Sequence, residues 1–456
     1  MTAPPSARSA SLAPSPARRV RLLGAGLLLL CSACAPPRPT NLLLVSVDTL
    51  RAGLLGCYGY ERATSPTFDA LAARGVVFER AMAASPWTLP SHASLLTGRY
   101  PSRHGVRRAG AALPEDVPSW AAALREQGFT TAAVVNSHLL GRDSGLARGF
   151  DDFVLVDEDV ERREPSTVGE FAEGWLSLSR REPFFLFLHF YDVHSNYWSL
   201  PEYEAKFTRP YGGPLNGSTR QLMAVREGRL ALRPADVRHL VDLYAAGIRQ
   251  LDDVLARLVG VLEREGLLEH TLLVLTSDHG EEFLEHGDVM HGRTHFEEVL
   301  HVPLVFVGPG VPAGVRVREP VSLVDVLPTA LGLLGRSAPP GLDGRDLRPL
   351  WERPGASLGE RFLFGEADWR NQEDDVLRAV RFGRYKLVVD RRSGERRLYD
   401  LARDPRERVD VQAEHPELVE RLHAALAEFM AGAREEASPA PLAPEEVEKL
   451  EALGYL

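Results

Sequence analysis

The stretch from Asn41 to Val47, N-L-L-L-V-S-V, is a continuous and mainly apolar run that ends in Asp48. An alternating strand has one wet face; an unbroken run has none, so it belongs in a sheet covered on both sides. Two later runs repeat the pattern, Phe184 to His189 and Leu272 to Thr276, the second followed by Ser277-Asp278-His279-Gly280. Both read as central strands of a parallel sheet. In open α/β sheets the crevice beyond the carboxyl ends of the strands is where ligands bind. Asp48 and Asp278 therefore stand where a ligand-binding acid would, although Asp48 alone could equally cap the next loop.

The other elements fit an α/β chain. Helices are expected at Pro66–Arg74, Ser119–Glu126 and Pro234–Glu265, the last from sustained i, i+3, i+4 apolar spacing. Further strands are expected at 76–78, 130–135 and 302–307. Residues 198–234 hold several Gly and Pro without clear periodicity and read as a long, substrate-facing loop. Composition excludes one class of partner: over 456 residues the net charge is −10, with no basic run to engage nucleic acid.

The N-terminus reads separately. Arg18, Arg19 and Arg21 precede the apolar run Leu22–Leu30 and then Cys31-Ser32-Ala33-Cys34. A basic region, a short apolar region and small residues describe a secretory signal too short to span a bilayer. Small residues before Cys34 resemble a bacterial lipobox, with Cys31 in place of its usual Leu. The expectation is an exported bacterial protein with a signal over 1–34, lipid-anchored at Cys34 and facing the periplasm or cell surface, or simply cleaved and secreted. After cleavage Cys34 and Cys57 remain of the three cysteines, which excludes a disulfide framework. Cys57 reads as a buried small apolar residue.

Ser85 to Gly98 reads S-P-W-T-L-P-S-H-A-S-L-L-T-G. Thr88 lies two residues before Pro90, and Pro favours the first turn of a helix. Thr88 thus falls at or just before a helix N-terminus, as a plain cap or beside a bound anion. The stretch resembles the sulfatase signature C/S-x-P-S-R-A-S-L-L-T-G, and Tyr100-Pro101 with His104-Gly105-Val106 continues the likeness. Two departures stand out: Thr88 replaces the Cys or Ser that sulfatases convert to formylglycine, and His92 replaces their Arg. Thr cannot yield that aldehyde, but it is the nucleophile in relatives within the alkaline phosphatase superfamily.

The resemblance extends over nearly everything after residue 40 and implies a site. V-S-V-D-T-L-R resembles the first metal-binding segment, with Thr49 where many sulfatases have a second Asp. The D-H-G at 278–280 resembles the second, with His279 where sulfatases have Asn. One divalent metal is thus implied on Asp48, Asp278 and His279, with Thr88 as a further ligand. The metal is calcium by resemblance, whereas an imidazole ligand favours zinc or manganese, and magnesium is also compatible. His194, in H-F-Y-D-V-H, and His291, in M-H-G-R-T-H-F-E-E, occupy positions that contact the substrate anion or act as catalytic groups. His92 and His138 are the weaker substrate-binding candidates. His291 and His295 share i, i+4 spacing, but Gly292 between them argues for a loop.

Beyond Arg336, strands at 361–364, 377–382, 385–389 and 397–399 have hairpin spacing. R-Y-K-L-V, L-Y-D-L-x-x-D-P-x-E and the ending E-K-L-E-A-L-G-Y-L resemble the small C-terminal subdomain of sulfatases. Lys386 reads as a surface residue of a hairpin. The expected fold is an α/β sandwich like that of alkaline phosphatase and sulfatases. A catalytic domain with a mostly parallel central sheet spans 40–335, and an α+β C-terminal subdomain spans 336–456. The function implied is hydrolysis of a sulfate or phosphate ester on a small molecule, glycan or lipid. Alternatives are transfer of a phosphoryl-linked group, and non-catalytic binding of an anion or glycan.

Overall fold

A computed structural model describes residues 1, 38–156, 163–353, 355–368, 376–434 and 447. The expected signal segment with Cys34, and the E-K-L-E-A-L-G-Y-L ending, lie outside the described residues.

The first apolar run forms β1 (Asn41–Val47), buried at every position. It pairs in parallel on both sides, with β5 (Phe184–Phe190) and with β6 (Thr271–Ser277). Because strand side chains alternate between faces, β1 feeds two cores. Leu42 and Leu44 join Trp87, Leu95, Trp120 and Phe185 on one face. Leu43, Val45 and Val47 join Leu186, Leu243, Val254 and Leu273 on the other. An unbroken apolar run is what two covered faces require.

The remaining strands of this sheet are β2 (Val76–Phe78), β3 (Thr130–Val135), β4 (Asp152–Leu155), β7 (Leu304–Val307) and β8 (Val315–Val317). The eight-stranded order is β8-β2-β7-β6-β1-β5-β3-β4. Only β7 runs against its neighbours, so the sheet is mostly parallel, as expected. The carboxyl ends of β1, β5 and β6 therefore open at one edge, side by side.

Helices follow the expected positions. α1 (Pro66–Ala73) receives its cap from a distance: Asp252 accepts the Thr67 and Phe68 N–H groups at 2.8 and 2.9 Å. α2 (Thr88–Thr97) carries the signature, and α3 (Trp120–Glu126) has Ser119 as N-cap, accepting from the Ala122 N–H. α4 (Pro234–Arg264) presents its apolar stripe, Leu240, Leu243, Leu251, Val254 and Leu258, to the core beneath β1. No helix among the described residues is long and apolar enough to cross a membrane.

Residues 198–234 depart from the expected loop. They contain two short helices, Pro201–Phe207 and Thr219–Arg226. Pro201 opens the first with Glu202 and Glu204 in its first turn, and Phe207 buries against Ala245 and Ala246 of α4. Helices this short draw their stability from packing, which periodicity does not report.

The C-terminal strands are β9 (Phe362–Asp368), β10 (Val376–Phe382), β11 (Tyr385–Asp390) and β12 (Arg396–Asp400), an antiparallel meander as expected. Tyr100, two residues beyond the signature, packs edge-on against Phe364 of β9 and Phe429 of the 416–431 helix. Lys386 on β11 departs from its expected surface position: it is fully buried between Glu297 and Glu407. Cys57 is only half-buried.

Candidate active site

Asp48 follows the last residue of β1, and Asp278 follows the last residue of β6. Parallel pairing in register, Val47 opposite Ser277, brings the two acids together. The turn after β1 is sharp. Thr49 has φ of 58°, in the left-handed region that disfavours a β-branched residue. Its N–H donates to Asp278 Oδ1 at 3.3 Å, and its carbonyl accepts from Tyr244 Oη at 2.6 Å. Tyr244 thus holds this turn in addition to packing.

Asp48, Asp278 and His279 offer ligand atoms that all lie within 4.8 Å of one another. His279 Nε2 is 3.2 Å from Asp278 Oδ2 and 3.6 Å from Asp48 Oδ1. The Gly280 carbonyl lies 3.0 Å from His279 Nδ1 and can only accept, so Nδ1 carries the proton and Nε2 turns its lone pair inward. Two buried oxygens at the centre, Asp48 Oδ1 and Asp278 Oδ2, have no hydrogen-bond partner among the described residues. Burial and the nearby Asp48 charge push the Asp278 carboxyl well above its usual range. Burial opposes the charge on Asp48 as well, yet the hydrogen bond from His189 and the surrounding imidazoles hold its pKa below the usual range. Orphaned carboxylate oxygens facing an imidazole lone pair fit a divalent cation.

Thr88 is the first residue of α2, with Trp87 as N-cap. Its Oγ1 lies 3.3 Å from Asp48 Oδ2 and 3.5 Å from His279 Nε2. The hydroxyl therefore points into the donor cluster instead of capping the helix.

The second candidate group clusters at the same place. The His279 and His291 rings are 4.4 Å apart, and those of His291 and His194 5.0 Å. Glu281 Oε1 lies 3.1 Å from His291 Nδ1. Burial keeps both imidazoles neutral, with His291 lowered to about 3 and His194 to about 4. His194 stacks on Tyr191, with Tyr191 Oη 3.1 Å from its Nε2.

His92 and His138 stand differently. Both ring nitrogens of His92 are engaged within the protein: Nδ1 with the Thr88 carbonyl at 2.9 Å, and Nε2 with Ser46 Oγ at 3.0 Å. Nδ1 also lies 3.3 Å from Asp278 Oδ2. His92 thus braces the start of α2 and the Asp278 carboxylate, with no nitrogen left for a substrate anion. His138 is half-buried on the 138–140 turn, which packs beside α2.

Sequence reasoning missed His189, Tyr191 and Glu281. His189 Nε2 lies 3.2 Å from Asp48 Oδ2, and its ring meets that of His92 at 4.7 Å. The signal for His189 was its place at the end of β5, one strand over from Asp48. Glu281 is fully buried and raised to about 8, chiefly by that burial.

Known proteins share this arrangement of segments. The family model described as Sulfatase matches residues 40–336, and one described as N-sulphoglucosamine sulphohydrolase, C-terminal, matches 285–432. The chain is 26% identical to the delta 4,5-hexuronate-2-O-sulfatase of Bacteroides thetaiotaomicron, over 84% of this chain and 86% of that protein. It is 28% identical to the choline-sulfatase of Rhizobium meliloti, over 82% and 83%. Among solved structures, the phosphonate monoester hydrolase of Agrobacterium radiobacter superposes with a TM-score of 0.68 at 25% identity, over 86% of this chain and 95% of that one. A structure holding its substrate D-glucosamine-2-N,6-O-disulfate reaches 0.72 at 21% identity, over 87% and 98%. With the strand-end acids, the signature helix and the C-terminal meander all inside these spans, the chain belongs to the sulfatase family.

Proposed function

We propose that the chain hydrolyses a sulfate or phosphate ester with Thr88 Oγ1 as nucleophile, beside a divalent cation held by Asp48, Asp278 and His279. One observation carries this reading: Thr88 Oγ1 sits 3.3 Å from Asp48 Oδ2 and 3.5 Å from His279 Nε2, within the donor cluster. When bound there, the cation would lower the pKa of the hydroxyl and withdraw charge from an ester oxygen. His279 favours zinc or manganese over the calcium that family resemblance suggests.

The chain's own groups do the rest. The start of α2 sets the positive end of its dipole at Thr88, which suits an anionic ester. Thr88 Oγ1 forms a bond to sulfur or phosphorus as the leaving oxygen departs with its electron pair. His194 and His291, whose rings adjoin that of His279, orient the ester and take up the proton that Thr88 Oγ1 loses, passing it to that leaving oxygen. Water then attacks the threonine ester, which restores Thr88 and releases sulfate or phosphate. The relatives' names point to sulfated sugars and small molecules as a substrate class, and the phosphonate hydrolase to phosphorus esters. We further infer export, with Cys34 as a lipid attachment point, from the basic, apolar and small-residue order of 18–34.

The test is turnover of paired aryl sulfate, aryl phosphate and aryl phosphodiester by wild type and Thr88→Ala, with calcium, magnesium, manganese or zinc. Thr88-dependent turnover of any ester supports the reading, and the preferred ester names the branch. Silence across the panel would leave an anion-binding relative in its place.

A further inference from the structure

Residues 291–296, which carry His291, form no helix or strand of their own. A segment without a backbone ladder needs other partners to hold one shape. At one end, Arg226 Nη2 donates to the His291 carbonyl at 2.7 Å. At the other, Lys386 Nζ reaches from β11 and donates to the His295 carbonyl at 2.7 Å. The same ammonium lies 2.8 Å from Glu297 Oε1 and 2.7 Å from Glu407 Oε1. Glu407 closes the ring by accepting the Glu297 N–H at 2.6 Å.

Two members of the ring are in demanding states. Lys386 has no exposed surface, and Glu407 is 2% exposed. Glu407 also adopts φ of 52°, left-handed for a residue with a side chain. The neighbouring packing leaves no slack: a Cβ on Gly365 of β9 would stand 3.1 Å from His295 Cδ2. Replacing buried ion pairs with apolar groups is often neutral or stabilising, so stability alone does not account for this arrangement.

We propose that Lys386 is a positioning residue for the reaction: with Glu297 and Glu407 it clamps the 291–297 segment to the C-terminal sheet and so fixes His291. This rests on the function proposed above. The clamp makes the C-terminal sheet part of the catalytic apparatus, although no residue of that sheet belongs to the donor cluster.

Two variants test it. Lys386→Met leaves the buried Glu407 carboxylate without its cation, while Glu297 keeps Arg381, and it risks misfolding. The companion is therefore Lys386→Met with Glu407→Gln, which removes both charges of the pair. For the double variant, kcat/KM on the preferred aryl ester should fall about ten- to a hundred-fold. In a His291→Ala background the same pair of changes should alter kcat/KM by less than about twofold, since Lys386 acts through His291. Amide hydrogen exchange should quicken across 291–297 while β1 and β6 stay protected. Equal rate losses in both backgrounds, or unchanged exchange over 291–297, would overturn the proposal. Exchange needs no turnover: an inactive wild type counts against the proposed function, and exchange then decides the clamp alone.

Discussion

His189 Nε2 lies 3.2 Å from Asp48 Oδ2, with both side chains fully buried. A carboxylate accepts only, so the imidazole donates, fixing which way the Asp48 oxygens face. Asp48 Oδ1 is left turned towards Asp278 and His279. Groups that orient metal ligands in this way typically matter about ten- to a hundred-fold in metal affinity. His189→Phe should weaken zinc or manganese binding by that factor, measured by competition with a chelating dye. Unchanged affinity would remove His189 from the site's support.

Thr88→Ala should lower turnover by at least about a thousand-fold, because the proposed attacking atom is gone. Thr88→Ser retains the hydroxyl and should stay within about tenfold of wild type. In both variants Asp48, Asp278 and His279 remain, so a metal-induced rise in Tm should survive. A Thr88→Ala enzyme as fast as wild type would show that another group attacks.

Without a cation, Asp48 and Asp278 face each other in a buried site. Chelation should therefore lower Tm, and saturation at a hundred times Kd should restore about 2.7 kcal/mol. Asp278→Asn removes one of the opposed carboxylates. Its chelated form should melt above chelated wild type, yet gain little from added metal. A Tm indifferent to chelator in wild type would argue against a resident ion.

His104 supplies an acid limit. Nε2 lies 3.0 Å from Ser94 Oγ, and Nδ1 accepts the Val106 N–H at 3.1 Å, so the folded ring is neutral. Burial, with Arg107 and Arg99 nearby, lowers its pKa to about 3. The unfolded ring protonates near its ordinary value of about 6.5. Stability is therefore complete above that value and declines as pH falls towards about 3, by up to about 1.4 kcal/mol per pH unit. His104→Gln should flatten this decline between pH 6 and 4 in chelator-treated protein, read as Tm against pH. An identical slope would assign the acid loss to other groups.

Most of the fold was legible because its signals are local. The runs at 41–47 and 271–277 announce strands covered on both sides, and the acids after them sit where such strands end. Thr88 was legible from Pro90 and the signature order around it. Residues whose role depends on distant partners were not. His189 looks like any strand-end histidine until the sheet puts it beside Asp48, 141 residues away. Lys386 obeys hairpin alternation, but alternation does not tell that residues 295–297 and Glu407 cover its face. His92 stands at the position of the signature Arg, and only the folded chain brings Ser46 and the Thr88 carbonyl onto its nitrogens.

The parallel pairing of β1 also governs when this site can exist. Asp48 meets its neighbours only through partners that the ribosome makes much later: Thr49 contacts Asp278 across 229 residues of sequence. Such non-local closure is slow, and it cannot begin until β6 has been synthesised. Until then the first apolar strand is an exposed edge that would pair with any strand it meets. The donor cluster thus cannot close before residue 279 is made, and a chain stopped short of β6 would carry its signature helix with Asp48 alone of the three donors.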